Sequence, residues 1–245
     1  MKQWRSYLKN LIFPPRCAIC GEVLTTREWE GFLCAVCAEK IPYLSVGKCP
    51  FCGMETKGSG FCGDCLKPFA FSSACGVFAY TTVRKAIHLY KYDGGKGLSV
   101  GMGTLMAEYL KREQRHLLEQ TELLLSVPLH PKKEKRRGFD QTELLCRRIA
   151  MQTGLSYEKA VLRRKKDTVA QSKLTMEERK KNLKNVFEVT ADVRGKHLLL
   201  VDDIFTTGTT CNECAKALLR AGAKSVAVCC LAVAGTEAEH AAGNA

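Results

Sequence analysis

No apolar run in this chain approaches the ~20 residues that a membrane-spanning helix needs, which excludes a helical membrane protein. The opening stretch, MKQWRSYLKNLIF, is basic, but its apolar run is too short for a secretory leader. It reads instead as a short amphipathic helix with Trp4, Leu8, Leu11 and Ile12 on one side. With neither span nor leader, the expected location is cytoplasmic. Histidine is scarce: His88, His116, His130, His197 and His240 are scattered in no triad order. Acidic residues are outnumbered, 25 against 38 Lys and Arg. The excess is concentrated between Pro131 and Asn185, with 17 basic and 7 acidic residues. Such a block attracts polyanions. Aromatics are not interleaved with it, which argues against a base-stacking platform.

Cysteine is abundant, at 14 in 245 residues. In a reducing compartment, paired CxxC motifs argue for metal rather than disulfides. Four such pairs lie in the first 65 positions: Cys17/Cys20, Cys34/Cys37, Cys49/Cys52 and Cys62/Cys65. Gly21 and Gly53 follow the second cysteine of their pairs, where a tight turn aims two thiolates and nearby amides at one ion. Eight thiolates make two closed, structural four-ligand zinc sites. The simplest pairing is sequential, and an interleaved, cross-braced pairing fits the spacing too. The segment is too small to fold well without such staples, and chelation is expected to unfold it alone. Cys211 and Cys214 repeat the spacing inside a helical stretch and read as packing residues, as do Cys229 and Cys230 in an apolar strand.

The rest of the chain is organised around Gly195 to Thr210, GKHLLLVDDIFTTGTT. Leu198 to Val201 read as a strand buried on both faces, as in a parallel sheet covered by helices. The run stops at Asp202 and Asp203, whose side chains start out splayed, and a turn there brings both to one crevice. A loop, Thr206, Thr207, Gly208, Thr209 and Thr210, then leads into a helix over 210–221 closed by Gly222. Loop amides, threonine hydroxyls and a helix N-terminus suit a phosphate dianion. Gly208 lets the backbone come close to it. Paired carboxylates suit the two hydroxyls of a ribose, since ionised Asp only accepts hydrogen bonds.

Leu198 to Thr210, LLLVDDIFTTGTT, resembles the thirteen-residue signature of type I phosphoribosyltransferases. Around it, strands are read over 74–80, 122–127, 186–189 and 225–234, with helices over 81–89, 97–115 and 139–151. Strands alternating with helices imply a parallel α/β sheet. The expected architecture is a zinc-ribbon domain over residues 1–68 and a phosphoribosyltransferase-like domain over 69–245.

Further stretches narrow the resemblance. Val127-Pro128-Leu129-His130 is followed by Arg136-Arg137-Gly138-Phe139-Asp140-Gln141. Thr168, Gln171, Leu174, Arg179 and Asn182 fall at T-x2-Q-x2-L-x4-R-x2-N spacing. With the CxxC pairs and Lys91-Tyr92, nearly the whole chain is similar to the ComF family of competence and gluconate-utilisation-related proteins. Asp140 stands where that family usually has Asn.

The resemblance implies a transferase-like domain behind a zinc ribbon, associated with handling incoming single-stranded DNA in natural transformation, beside a competence helicase. It implies a ligand, phosphoribosyl pyrophosphate with Mg²⁺, whose pyrophosphate is displaced at the ribose anomeric carbon. Asp202 and Asp203 would hold the ribose, and Thr206, Thr207, Gly208, Thr209 and Thr210 the 5′-phosphate. Arg136 and Arg137, in a basic loop after the 122–127 strand, would meet the pyrophosphate, since guanidinium pairs bidentately with phosphate oxygens. Residues 165–185 sit where such enzymes carry a lid, with Arg179 its contact to the ligand. No residue stands out as a base for an incoming nucleophile. An alternative is a non-catalytic DNA- or partner-binding factor that keeps the pocket as a sensor.

Overall fold

A computed structural model describes residues 11, 14–25, 31–44, 47–57, 60–92, 95–159, 161–165 and 186–234. The N-terminal amphipathic stretch, save Leu11, lies outside the described residues. So do Arg179 and the rest of the 166–185 segment.

Five parallel strands form the central sheet: β1 (Ser73–Ala79), β2 (Leu123–Ser126), β3 (Ser156–Tyr157), β6 (His197–Phe205) and β7 (Ser225–Val233), in the order β1-β7-β6-β2-β3. The period-2 alternation of β6 sends Leu199 and Val201 to one face, and Leu198 and Leu200 to the other. Both faces are dry, which is why the run reads as continuously apolar.

One face carries three helices: α3 (Tyr80–Tyr92), α4 (Leu98–Glu113) and α7 (Gln141–Thr153). They bury Val83, Ile87, Tyr90, Met102, Met106, Leu145 and Ile149 against it. The other face carries α8 (Thr209–Arg220), through Cys211, Cys214, Ala215 and Leu218. An antiparallel hairpin, β4 (Leu162–Arg164) and β5 (Phe187–Val189), packs beside it.

Short helices complete the described residues: α1 (Ala35–Lys40) and α2 (Gly63–Leu66) in the cysteine-rich segment, α5 (Arg115–Gln120), and α6 (Pro131–Arg137). None of the described helices is long and apolar enough to cross a membrane.

Four local expectations are corrected. β6 does not stop before the aspartates but continues through them to Phe205, because β7 runs alongside with Asp202 opposite Cys230 and Phe205 opposite Val233. Helix α8 accordingly begins at Thr209, one residue early. The basic stretch 131–137 is a helix, not a loop. Pro131 starts it, the His130 ring accepts from the Lys132 N–H, and Gly138 ends it at φ 77°. The 186–189 segment is a strand, but it pairs with β4 rather than joining the sheet.

The cysteine-rich segment is joined to the sheet along β1, an edge strand. Leu44 donates its N–H to Val77 O at 2.9 Å, Phe61 donates to Ala74 O at 2.9 Å, and Tyr43 bridges Phe78. An edge that would otherwise invite pairing with another chain is thereby covered. The two halves of the segment also straddle the sheet. Cys17, Phe32 and Leu33 join the core under α3 and α4, while Cys49 and Phe61 join the core under α8. The first half presses so closely that a Cβ on Gly101 of α4 would stand 2.8 Å from the Phe32 nitrogen.

Candidate functional site

In an open α/β sheet, ligands bind at the C-terminal ends of the strands, where the chain's progress across the sheet reverses. Here the reversal falls between β2 and β6. The chain leaves β2 for β3 at one edge, and leaves β6 for β7 on the other side. The segments after these two strands, 127–140 and 206–208, therefore flank one crevice. They are the two segments that carry the basic and the threonine-rich motifs.

Asp202 and Asp203 lie in β6 at that crevice, both half-buried. Alternation turns them to opposite faces. Asp203 faces α3 and forms an ion pair with Lys91, Nζ to Oδ2 2.6 Å, both side chains only 15% exposed. Asp202 faces α8. Its Oδ1 accepts the N–H of Asp203 at 2.8 Å, and its Oδ2 accepts the Cys211 thiol at 3.6 Å. Burial raises the Asp202 pKa to about 7, and the neighbouring Asp203 charge adds to the rise. The structure thus does not treat the carboxylates as an equivalent pair: one is held by an ammonium and the other leans toward its neutral form.

The threonine-rich loop encloses a small indentation lined by Asp202 and by Ile204 through Cys211. Thr207 and Thr209 share a hydroxyl–hydroxyl hydrogen bond of 2.8 Å. Gly208 caps α8 with φ 68°, a left-handed conformation that favours glycine. A Cβ there would lie 2.5 Å from Phe205 and 2.8 Å from Phe69. Gly208 is thus required by the aromatic floor beneath the loop as well as by its φ. That floor is a cluster centred on Phe205, whose ring meets Phe51, Phe61, Phe69 and Phe71 at centroid distances of 5.9, 4.8, 5.9 and 6.2 Å. Phe51 and Phe61 come from the cysteine-rich segment, so that segment supports the loop directly. Nothing in the sequence pattern pointed to this contact.

Across the crevice, Arg136 and Arg137 close α6. Both guanidinium groups lie over the Tyr92 ring, at 5.4 and 5.1 Å. Arg137 also donates to Gln141 Oε1 at 2.6 Å and to the Tyr92 hydroxyl at 3.4 Å. The Arg137 interaction lowers the pKa of that phenol. Lys133, on the same helix, has its pKa lowered by burial and then by Arg137 and Lys91.

Asp140 explains why it can replace an amide. It caps α7 by accepting the Glu143 N–H at 3.1 Å and the Thr142 hydroxyl at 2.7 Å, and it accepts the Leu129 N–H at 3.4 Å. Each of these contacts asks only for an acceptor. His130, beside the crevice, serves as the N-cap of α6.

The eight cysteines resolve into two clusters, Cys17, Cys20, Cys34 and Cys37, and Cys49, Cys52, Cys62 and Cys65. The pairing is sequential, and the cross-braced alternative is excluded. Within each, the sulfurs lie within 4.8 Å of one another. Cys20 and Cys34 approach to 3.7 Å, and Cys52 and Cys62 to 3.6 Å. A tetrahedron with Zn–S of about 2.3 Å has sulfurs roughly 3.8 Å apart. Each CxxC turn closes with the same bonds: Gly21 N–H to Cys17 O and Gly53 N–H to Cys49 O. Burial opposes a thiolate at Cys17, yet backbone amides of Cys20, Cys34 and Ile19 bring its pKa down to about 6. The amide of Cys65 is the largest influence bringing Cys62 down to about 7. Burial and then the neighbouring thiols push Cys37 up to about 12 and raise Cys65 as well, so it is the four-sulfur geometry that fits each cluster to a closed structural zinc site. Magnesium finds no comparable seat. Asp203 is engaged by Lys91, Asp202 by an amide and a thiol, and among the described residues no third carboxylate completes a set.

Comparison with known proteins gives two domain matches: a double zinc ribbon domain over residues 8–66 and a phosphoribosyl transferase domain over residues 135–243. The DNA utilization protein YhgH of Salmonella typhimurium is 33% identical over 225 residues, covering 90% of this chain and 98% of that protein. Competence protein F of Haemophilus influenzae is 28% identical over 203 residues, covering 80% and 88%. Among solved structures, glutamine phosphoribosylpyrophosphate amidotransferase from B. subtilis is 22% identical, covers 53% of this chain and 25% of that one, and gives a TM-score of 0.35.

Proposed function

We propose, on the premise that this chain belongs to the family of the DNA utilization protein YhgH and competence protein F, that it binds phosphoribosyl pyrophosphate at the β2/β6 crevice and serves DNA uptake in natural transformation. The observation that carries the reading is placement: a glycine-capped threonine loop, an acidic pair and a cationic helix border one strand-end crevice. The 5′-phosphate lies against residues 206–210, where loop amides and the N-terminus of α8 favour an anion. Asp202 accepts ribose hydroxyls, and Arg136 and Arg137 take the pyrophosphate. Arg179, the expected lid contact, lies outside the described residues. The chain acts through residues 1–68 as a zinc-ribbon domain and 69–245 as the ligand-binding domain. Magnesium, where it enters, rides on the substrate's phosphates, since the two aspartates give it no direct seat. Single-stranded DNA and a competence helicase are the macromolecular partners in this reading, in the cytoplasm.

The test is calorimetry with phosphoribosyl pyrophosphate. The wild-type chain is expected to bind it, and ribose 5-phosphate more weakly. Asp202→Ala combined with Asp203→Ala is expected to abolish binding while the chain stays folded. Wild-type affinity in that double variant would sink the assignment. Pyrophosphate release across candidate acceptors then separates a transferase from a sensor that holds the ligand without turnover.

A further inference from the structure

The acidic pair of the crevice is asymmetric, and the cause is a side chain from outside the signature. Lys91, at the end of α3, reaches Asp203 at 2.6 Å. Each side chain is 15% exposed, so solvent screens this pair less than a surface ion pair. An ammonium has three donors, and one on Asp203 leaves two free for ligand oxygens.

Around Lys91 the charge is unbalanced. Burial disfavours the Lys133 ammonium most, and Arg137 and Lys91 add to this as like charges, while Tyr92 and Asp203 act the other way. Arg137 is fixed by Gln141 Oε1 and by the Tyr92 ring, yet its Nε is buried with no acceptor among the described residues. Arg136 shares the Tyr92 ring. Such a gathering of cations, with one carboxylate already engaged, wants an anion of more than one charge.

We infer that Lys91, seated on Asp203 and backed by Lys133 and Arg137, is a resident cation that meets the diphosphate of the sugar ligand, so that binding needs little divalent metal. The inference rests on the reading of the crevice as a phosphoribosyl pyrophosphate site. Its chemistry is charge neutralisation. A metal ion on a diphosphate offsets the repulsion of its oxygens, and fixed ammonium and guanidinium groups can do the same at no cost in metal capture. Lys91 does so from a preset position, because Asp203 holds it there before the ligand arrives.

The experiment is titration calorimetry of the full-length protein with phosphoribosyl pyrophosphate, once in excess Mg²⁺ and once in EDTA added just before the run. Zinc retention is checked by elemental analysis afterwards. For the wild type, the two affinities are expected to agree within about threefold. Lys91→Met is expected to lose at least about tenfold in EDTA and to recover in Mg²⁺, because Asp203 is then released toward the ligand's metal. Lys91→Arg, which keeps the charge, is expected to behave as wild type. A wild type that binds only with Mg²⁺ overturns the inference and leaves the crevice assignment intact. A Lys91→Met chain equal to wild type in EDTA overturns it as well. Failure to bind in either condition overturns the crevice assignment itself. The wild-type comparison stands even if Lys91→Met folds poorly.

Discussion

Asp202 shows how burial and a neighbouring charge shift the protonation of one side chain. Its pKa is raised to about 7 by burial and by Asp203, above the ordinary range for Asp. The folded chain therefore binds a proton that the unfolded chain gives up. That contribution to stability is complete below the ordinary Asp pKa and is lost as pH rises through about 7. Asp202→Asn is expected to flatten the decline of melting temperature between pH 5 and pH 8. Ligand binding should run the other way, because ribose hydroxyls need an ionised acceptor. Affinity for phosphoribosyl pyrophosphate should rise from pH 6 to pH 8 in the wild type and be weak and flat in Asp202→Asn. An unchanged pH profile of stability in the variant would remove Asp202 as its source.

At the scale of elements, the two zinc ribbons are structural partners of the sheet rather than appendages. Cys17 and Cys49 belong to the cores on opposite faces, and Phe51 and Phe61 press on Phe205 at the foot of the threonine loop. Two zinc ions per chain are expected by elemental analysis, since eight thiolates make two four-ligand sites. Their removal should do more than unfold the ribbons, revising the expectation of independent unfolding. The amides of Leu44 and Phe61, bonded to β1, should lose protection from hydrogen exchange, and the protein's main melting transition should fall. Phe205→Ala removes the ring on which the cluster converges and should cost about 3–5 kcal/mol in denaturant unfolding. An α/β layer that melts unchanged after chelation would show that these contacts carry no stability.

For the molecule as a whole, the excess of 13 positive charges sets a field that favours polyanions. Part of it lines the crevice through Arg136, Arg137 and Lys133. Another part runs onto the β4/β5 hairpin at Arg163 and Arg164. If single-stranded DNA uses this surface, its affinity should fall by about tenfold or more between 50 and 200 mM salt, because phosphate contacts release counterions. Charge reversal at Arg163, Arg164, Lys165 and Lys166 should weaken binding alike for all sequences. Binding indifferent to salt, or none at low salt, would count against a direct DNA role.

The sequence by itself determined what depends on local order. CxxC spacing with its glycines named all eight thiolates, apolar runs and alternation named every strand but the short β3 and β4, and LLLVDDIFTTGTT named the threonine loop. Each is a pattern of neighbours, and neighbours along the chain are neighbours in a strand, a helix or a turn. Even the glycine that closes the last helix, Gly222, was legible, since its left-handed φ of 94° suits glycine. Only the tertiary structure decided what depends on distant segments meeting. It chose sequential over cross-braced cysteine pairing, carried β6 past the aspartates by laying β7 beside it, and set Lys91 of α3 on Asp203 of β6, 112 positions apart. It also placed the second ribbon's phenylalanines under the loop. Sequence distance carries no record of such contacts, because they arise from how the layers pack after each element has formed.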